Sequence, residues 1–353
     1  MEKMVIFKFG SSFSLKYIDI FLVLKLVYKN ENSLFWRLFM PKFQVTHNHH
    51  FVWRAYLKPW CENKCKNSGE EKYYIWWNNR KVVRQTDVFD ILRKKDFYEY
   101  KTLNKLELYL LNNMYKKSGW KGLEKTTVYF DSITELANLL ANDKFNGEYR
   151  ELLIELGETV QSMGEKIGQK YIDKLYIDDL SFFDVNEEDG MDFLFYLFMQ
   201  YFRTKAMRER ASLSLTIMND DIIKKICESE LHEDIVYSID WNNIYNYGYI
   251  YLVNSVTYGY IHYGCHIRLL KSKGARFIVS DQPVYNCSEN KSKDYDLFYP
   301  IDPNRAILLS KYFEKNEVLE ISDDEVLRYN LLTVNNAYEF ILGKEKVDID
   351  FKY

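Results

Sequence analysis

With 353 residues, 47% hydrophobic and 28% charged, the chain can bury the core of one large domain or two modest ones. A net charge of −3 gives no global pull towards nucleic acid or an anionic membrane, so any such surface must be local. Five scattered cysteines are no disulfide framework, and the lack of GxxxxGK(S/T), HExxH and GxSxG patterns argues against a P-loop NTPase, a thermolysin-like protease and an α/β-hydrolase.

Residues 1–39 differ in texture from the rest. Their apolar run "YIDIFLVLKLVY" is interrupted by Asp19 and Lys25, is too short to span a bilayer, and has no small-residue cleavage pattern after it. Met40 offers a second start. The segment reads as an N-terminal extension, from a misassigned start or as a docking helix, rather than a membrane anchor. No other stretch offers a membrane span, so the body is expected to be soluble, and the scattered cysteines suggest a reducing, cytoplasmic compartment.

"THNHHFVWRAYLKPW" (46–60) follows, with His47, His49 and His50 ahead of Arg54, Tyr56 and Lys58. Cys61 and Cys65 stand nearby as CxxxC. However, zinc wants four ligands, no second pair exists, and adjacent histidines point apart on a regular element. No metal and no cofactor are therefore expected. Imidazole beside guanidinium is instead the equipment of RNA cleavage, in which one group takes the 2′-hydroxyl proton and a cation steadies the phosphorane. The plainer reading is a segment that seals the fold.

"YYIWWNNRKVVR" (73–84) reads as a hairpin turning at Asn78 and Asn79, and 87–100 as a connector. A helical pattern begins near 102, with Leu103, Leu106, Leu110 and Met114 on one face. Ser132 and Glu135 form a capping-box signature. Further helices are expected over 148–177, 187–215 and 219–239. The helix over 187–215 ends in "RTKAMRER", where Arg203 and Arg208 could hold phosphate or pair with a buried carboxylate. The Tyr-rich stretch 240–264 reads as a packed element rather than a base-stacking platform.

After Gly274 a buried strand (276–279) runs into Ser280, Asp281 and Pro283. An acid at a strand end is a candidate base or ligand, or it caps backbone amides in a turn. A turn at 300–304 and a second strand follow. A last helix is expected over 322–343, capped by Ser322 with Glu325 three residues on. The fold class is α+β: a predominantly helical middle (about 102–239), and a small β-sheet formed by the N-terminal hairpin and C-terminal strands (about 275–343). Residues 40–353 are read as a single domain.

Several of these blocks resemble a bacterial family of domains of unknown function. "HHFVWRAYLKPW" is similar to its opening His-His-x-Val-Pro-Arg-x-Tyr-Leu signature, and "FIVSDQPV" to its Phe-Ile-Thr-Ser-Asp-x-Pro-Val strand. "KKDFYEY", "FRTKAMRER", "YPIDPNRAILLS" and "NLLTVNNA" follow the family's other blocks in order, across roughly 49–340. Trp53, Val279 and Asp302 depart from the pattern, standing for Pro, Thr and Ser. The resemblance implies a mobile-element or phage-defence setting.

The leading expectation is therefore an abortive-infection or toxin-like effector that cleaves RNA. His49, His50, Arg54 and Asp281 would be catalytic, and Tyr56, Lys58, Arg203, Arg208 and Ser280 would bind. One alternative is a non-enzymatic sensor of a phage or host protein, using aromatic residues around Trp76, Trp77 and Tyr245–Tyr260. Another is a metal-dependent hydrolase built on Asp281 and histidine.

Overall fold

The computed structural model describes residues 46–65, 71–104, 106–111, 148–211, 239–288 and 296–351. The N-terminal extension, the capping-box pair Ser132 and Glu135, and the helix expected over 219–239 lie outside them. Helices and several sheets make this a mixed α+β protein. The chain divides into two compact units. One comprises 1–47, 98–160 and 214–255; the other 48–97, 161–213 and 256–353.

In the first unit, the start of helix α4 (Trp241–Tyr263) sews down the extended stretch after Tyr98. The Asn243 side chain accepts from the Lys101 amide at 2.9 Å. Asn246 donates to the Glu99 carbonyl, and the Tyr247 hydroxyl to that of Lys101, both at 2.8 Å. Tyr245, Tyr247, Tyr249 and Tyr251 are buried.

The second unit holds the sheets. Strands β2 (Glu62–Cys65), β3 (Glu71–Asn78) and β4 (Val83–Asp87) come from the N-terminal part. They share a sheet with β7 (Val279–Ser280) and β12 (Ile341–Gly343). β12 lies between β3 and β7, with Ile341 opposite both Asn78 and Ser280. The turn between β3 and β4 falls after the expected Asn78–Asn79 centre. Asn79 Oδ1 accepts the Lys81 and Val82 amides, and Arg80 takes φ 67°.

A second sheet runs β11-β6-β10-β9-β8. Its strands are β6 (His266–Lys271), β8 (Tyr285–Asn286), β9 (Leu297–Asp302), β10 (Arg305–Ser310) and β11 (Glu317–Glu320). Its side chains Leu270, Tyr285, Phe298 and Ala306 pack with Phe277 and with Val326 of helix α5 (Asp323–Asn336). A two-stranded ladder pairs β1 (Asn48–His50) with β5 (Arg93–Lys95). Tyr56 and Trp60 seat the segment after β1. The Tyr56 hydroxyl donates to the Pro300 carbonyl at 2.8 Å, and its ring stacks on Tyr299 at 4.9 Å. Trp60 Nε1 donates to the Phe277 carbonyl at 3.0 Å.

Two expected helices are shorter than their apolar patterns. The 187–215 pattern gives helix α3 (Glu188–Phe202), a turn at Arg203 and Thr204, and a new helix over 205–211. Thr204 caps that helix by accepting the Met207 amide at 3.3 Å. The terminal pattern gives α5, which ends at Asn336, and the chain then leaves as β12 instead of remaining helical to Gly343. No described helix is long and apolar enough to cross a membrane.

Helix α2 (Glu148–Tyr176) carries Gly164 and Gly168 on the face that meets α3. A Cβ at Gly168 would overlap the buried ring of Tyr196, whose hydroxyl is 2.9 Å from that of Tyr299. A Cβ at Gly164 would meet only the flexible end of Met199. Gly168→Ala is therefore expected to lower the unfolding free energy by about 1–3 kcal/mol. Gly164→Ala should change it by less than about 1 kcal/mol, because helix propensity offsets the crowding. Urea unfolding of both variants checks the contrast.

Candidate functional site

Pairing of β1 with β5 sets the site in place. Successive strand residues face opposite ways, so His49 turns into the core while His50 turns to the other side. His49 lies opposite Lys94, and His50 opposite Arg93. The chain then turns, and the short helix α1 (Arg54–Leu57) begins with Arg54.

The Arg54 guanidinium sits 3.8 Å over the ring of Phe89. Phe89 is held by its own backbone. Its amide donates to Asp87 Oδ1 at 3.0 Å, and its carbonyl accepts a ring N–H of His50. Arg203, 3% exposed, joins two further elements. Nη1 pairs with Glu165 Oε1 of α2 at 2.6 Å, and Nη2 donates to the His50 carbonyl at 3.0 Å.

Burial, then the charge of Arg54, pushes the His50 imidazole down to about 4. Arg93 and Arg203 add to this, and the Phe89 carbonyl opposes it. His50 is thus neutral at pH 7, with one nitrogen protonated towards Phe89 and the other carrying a lone pair. Burial raises the Glu165 carboxyl, while Arg203 and Arg54 draw it back. Three guanidiniums therefore act on one neutral imidazole. Glu165 takes Arg203, and Asp90 takes Arg93 at 2.8 Å. Among the described residues, no carboxylate lies within ion-pair distance of Arg54; its described partner is the Phe89 ring. Such a cation beside a neutral acceptor suits a phosphate and a proton to be moved.

The other expected site residues have different tasks. Asp281 accepts the amides of Tyr338 at 2.8 Å, Glu339 at 2.6 Å and Phe340 at 3.1 Å. That clamp turns the chain from α5 into β12, and Asp281 is not among the charges that act on His50. Ser280 closes the local turn by donating to the Gln282 carbonyl. Tyr56 is buried in the seat described above. Lys58 is exposed, over the Tyr73 ring. Arg208 lies 3.7 Å over Phe97. The Arg-Thr and Ser-Asp-x-Pro blocks do meet: the Thr204 hydroxyl bonds Gln282 Oε1, whose Nε2 donates to the Tyr201 carbonyl at 3.1 Å.

Sequence reasoning missed Glu165, Phe89 and Arg93. Glu165 follows Gly164, with Gly168 four residues on; that small-residue spacing marks a close helix approach. Phe89, between Asp87 and Asp90, had only the turn signal of its acidic neighbours. Among the described residues, no group of three or more His, Cys, Asp or Glu side chains is placed to hold a metal ion.

A family model described as "Protein of unknown function (DUF4238)" matches residues 48–347. The chain belongs to that family. The DUF4238 match begins with β1, so His50, Arg54, Phe89, Glu165 and Arg203 all fall within it. No curated protein and no solved structure matches the chain.

The charge state of His50 has a consequence for stability. Its folded value of about 4 lies below the ordinary 6.5, so the unfolded chain takes up the proton first. The His50 contribution is full above pH 6.5 and is lost as pH falls towards 4. Asp281 works the other way: burial raises its carboxyl to about 6 against the three amides, so its contribution is lost as pH rises from 4 to 6. His50→Gln removes the first term alone. Relative to wild type, the variant should gain roughly 1–3 kcal/mol on going from pH 7 to pH 4.5. Urea unfolding at the two pH values measures this.

Proposed function

We propose that this DUF4238 protein cleaves RNA, as an abortive-infection or toxin-like effector of bacteria. The observation that carries the proposal is the neutral His50 imidazole beside Arg54, a guanidinium in no ion pair among the described residues. In this reading the lone-pair nitrogen of His50, buried in the chain alone, is reached by the 2′-hydroxyl when the RNA seats, and takes its proton as the oxygen attacks the adjacent phosphorus. Arg54 faces the charge that develops on the phosphorane. The P–O5′ bond breaks, and the leaving oxygen takes a proton from solvent. Arg203, its own charge held by Glu165, positions the imidazole through the His50 carbonyl.

In this reading the protein acts in the cytoplasm, and a phage or host protein triggers it. The competing idea of a sensor surface draws little support, because Tyr245, Tyr247, Tyr249 and Tyr251 are buried and Trp77 packs against Phe340.

RNA from cells expressing wild type, His50→Ala or Arg54→Ala tests the proposal. Wild type should leave fragments with 2′,3′-cyclic phosphate and 5′-hydroxyl ends. Removal of His50 should slow their appearance by about 10²–10⁴-fold. Intact RNA in cells where wild type remains toxic would refute cleavage.

A further inference from the structure

Phe89 is 54% exposed. A lone phenyl on a surface needs no explanation in general. This one is unusual because the backbone that carries it is fixed on both sides. The Val88 amide donates to the Tyr73 carbonyl at 2.8 Å, and the Asp90 amide to the Asp87 carbonyl at 2.9 Å. The Phe89 amide is bound by Asp87, and its carbonyl by the His50 ring. Arg54 occupies one face of its ring at 3.8 Å.

The same residue thus carries both parts of the site. Its carbonyl sets the imidazole, and its ring supports the cation. Anything seated on the open part of that ring lies beside the Arg54 cation. A flat heterocycle joined to a phosphate fits this pair, because aromatic rings stack on bases and a guanidinium takes phosphate oxygens. A base inside a duplex already has both faces stacked, so only an unpaired base can offer one.

We infer that Phe89 is a stacking platform for an unpaired base whose neighbouring phosphate lies on Arg54, which makes single-stranded nucleic acid the substrate class. The inference rests on the cleavage reading only for what happens after binding, and its test uses an RNA that cannot be cut.

A 2′-O-methyl oligonucleotide, single-stranded or annealed to its complement, is titrated into the full-length protein. Wild type should bind the single strand at least tenfold more tightly than the duplex. Phe89→Ala should weaken single-strand binding by about tenfold or more, the size of one lost stack, and abolish the preference. Phe89→Trp should retain it, and Arg54→Ala should weaken both forms. Because His50 is held by the Phe89 backbone carbonyl, the Ala substitution leaves that bond in place, and an unchanged melting temperature checks the fold. Equal single-strand binding by wild type and Phe89→Ala, equal binding of duplex, or no binding at all would overturn the inference. Ring-dependent binding without cleavage of ordinary RNA would reject the cleavage reading alone.

Discussion

The buried guanidinium of Arg203 is the point on which the site depends. A charge taken out of water must be paired and fully hydrogen-bonded, and removal of one partner of such a pair costs about 3–5 kcal/mol. Arg203 meets that demand with partners from two distant stretches: Glu165 on α2 and the carbonyl of His50 at the end of β1. To do so the chain must leave the α3 helix at Phe202. The break in α3, the approach of α2 and the placing of the imidazole are thus one event. Arg54, in contrast, is left facing Phe89.

The frame behind this cluster rests on a second buried charge. Asp281 gathers three amides of the stretch after α5. That stretch is tied in turn to the helix over 205–211, since Lys205 pairs with Glu339 at 2.5 Å and Tyr338 bonds Glu209. Thr204 and Gln282 complete the link. The Ser-Asp-x-Pro block therefore serves the site by fixing the segment that carries Arg203, and its acid is spent on backbone amides.

Local signals were legible in the sequence, and long-range ones were not. Ser322 and Glu325 form the capping box that their spacing implies, because all of its atoms lie within one turn. The hairpin was visible, but its register was not, since Asn79 captures amides two and three residues on and delays the second strand. The apolar run of α3 looks uninterrupted because the forces that break it come from Glu165, His50 and Gln282. Asp281 could be read as a base or ligand or as a cap, and the amides it accepts lie 57 to 59 residues further on, beyond any local signal. Phe89 looks like an ordinary apolar residue of a connector. The two groups it touches, Arg54 and the His50 ring, lie more than thirty residues earlier in the chain.

The most direct test is an imidazole titration of His50 by NMR, with the resonance assigned through His50→Gln. A neutral base set among Arg54, Arg93 and Arg203 should stay unprotonated down to a pKa of about 4, and its shifts should move when inorganic phosphate is added to wild type but not to Arg54→Ala. A pKa at or above the ordinary value of about 6.5, with no response to phosphate, would contradict the site.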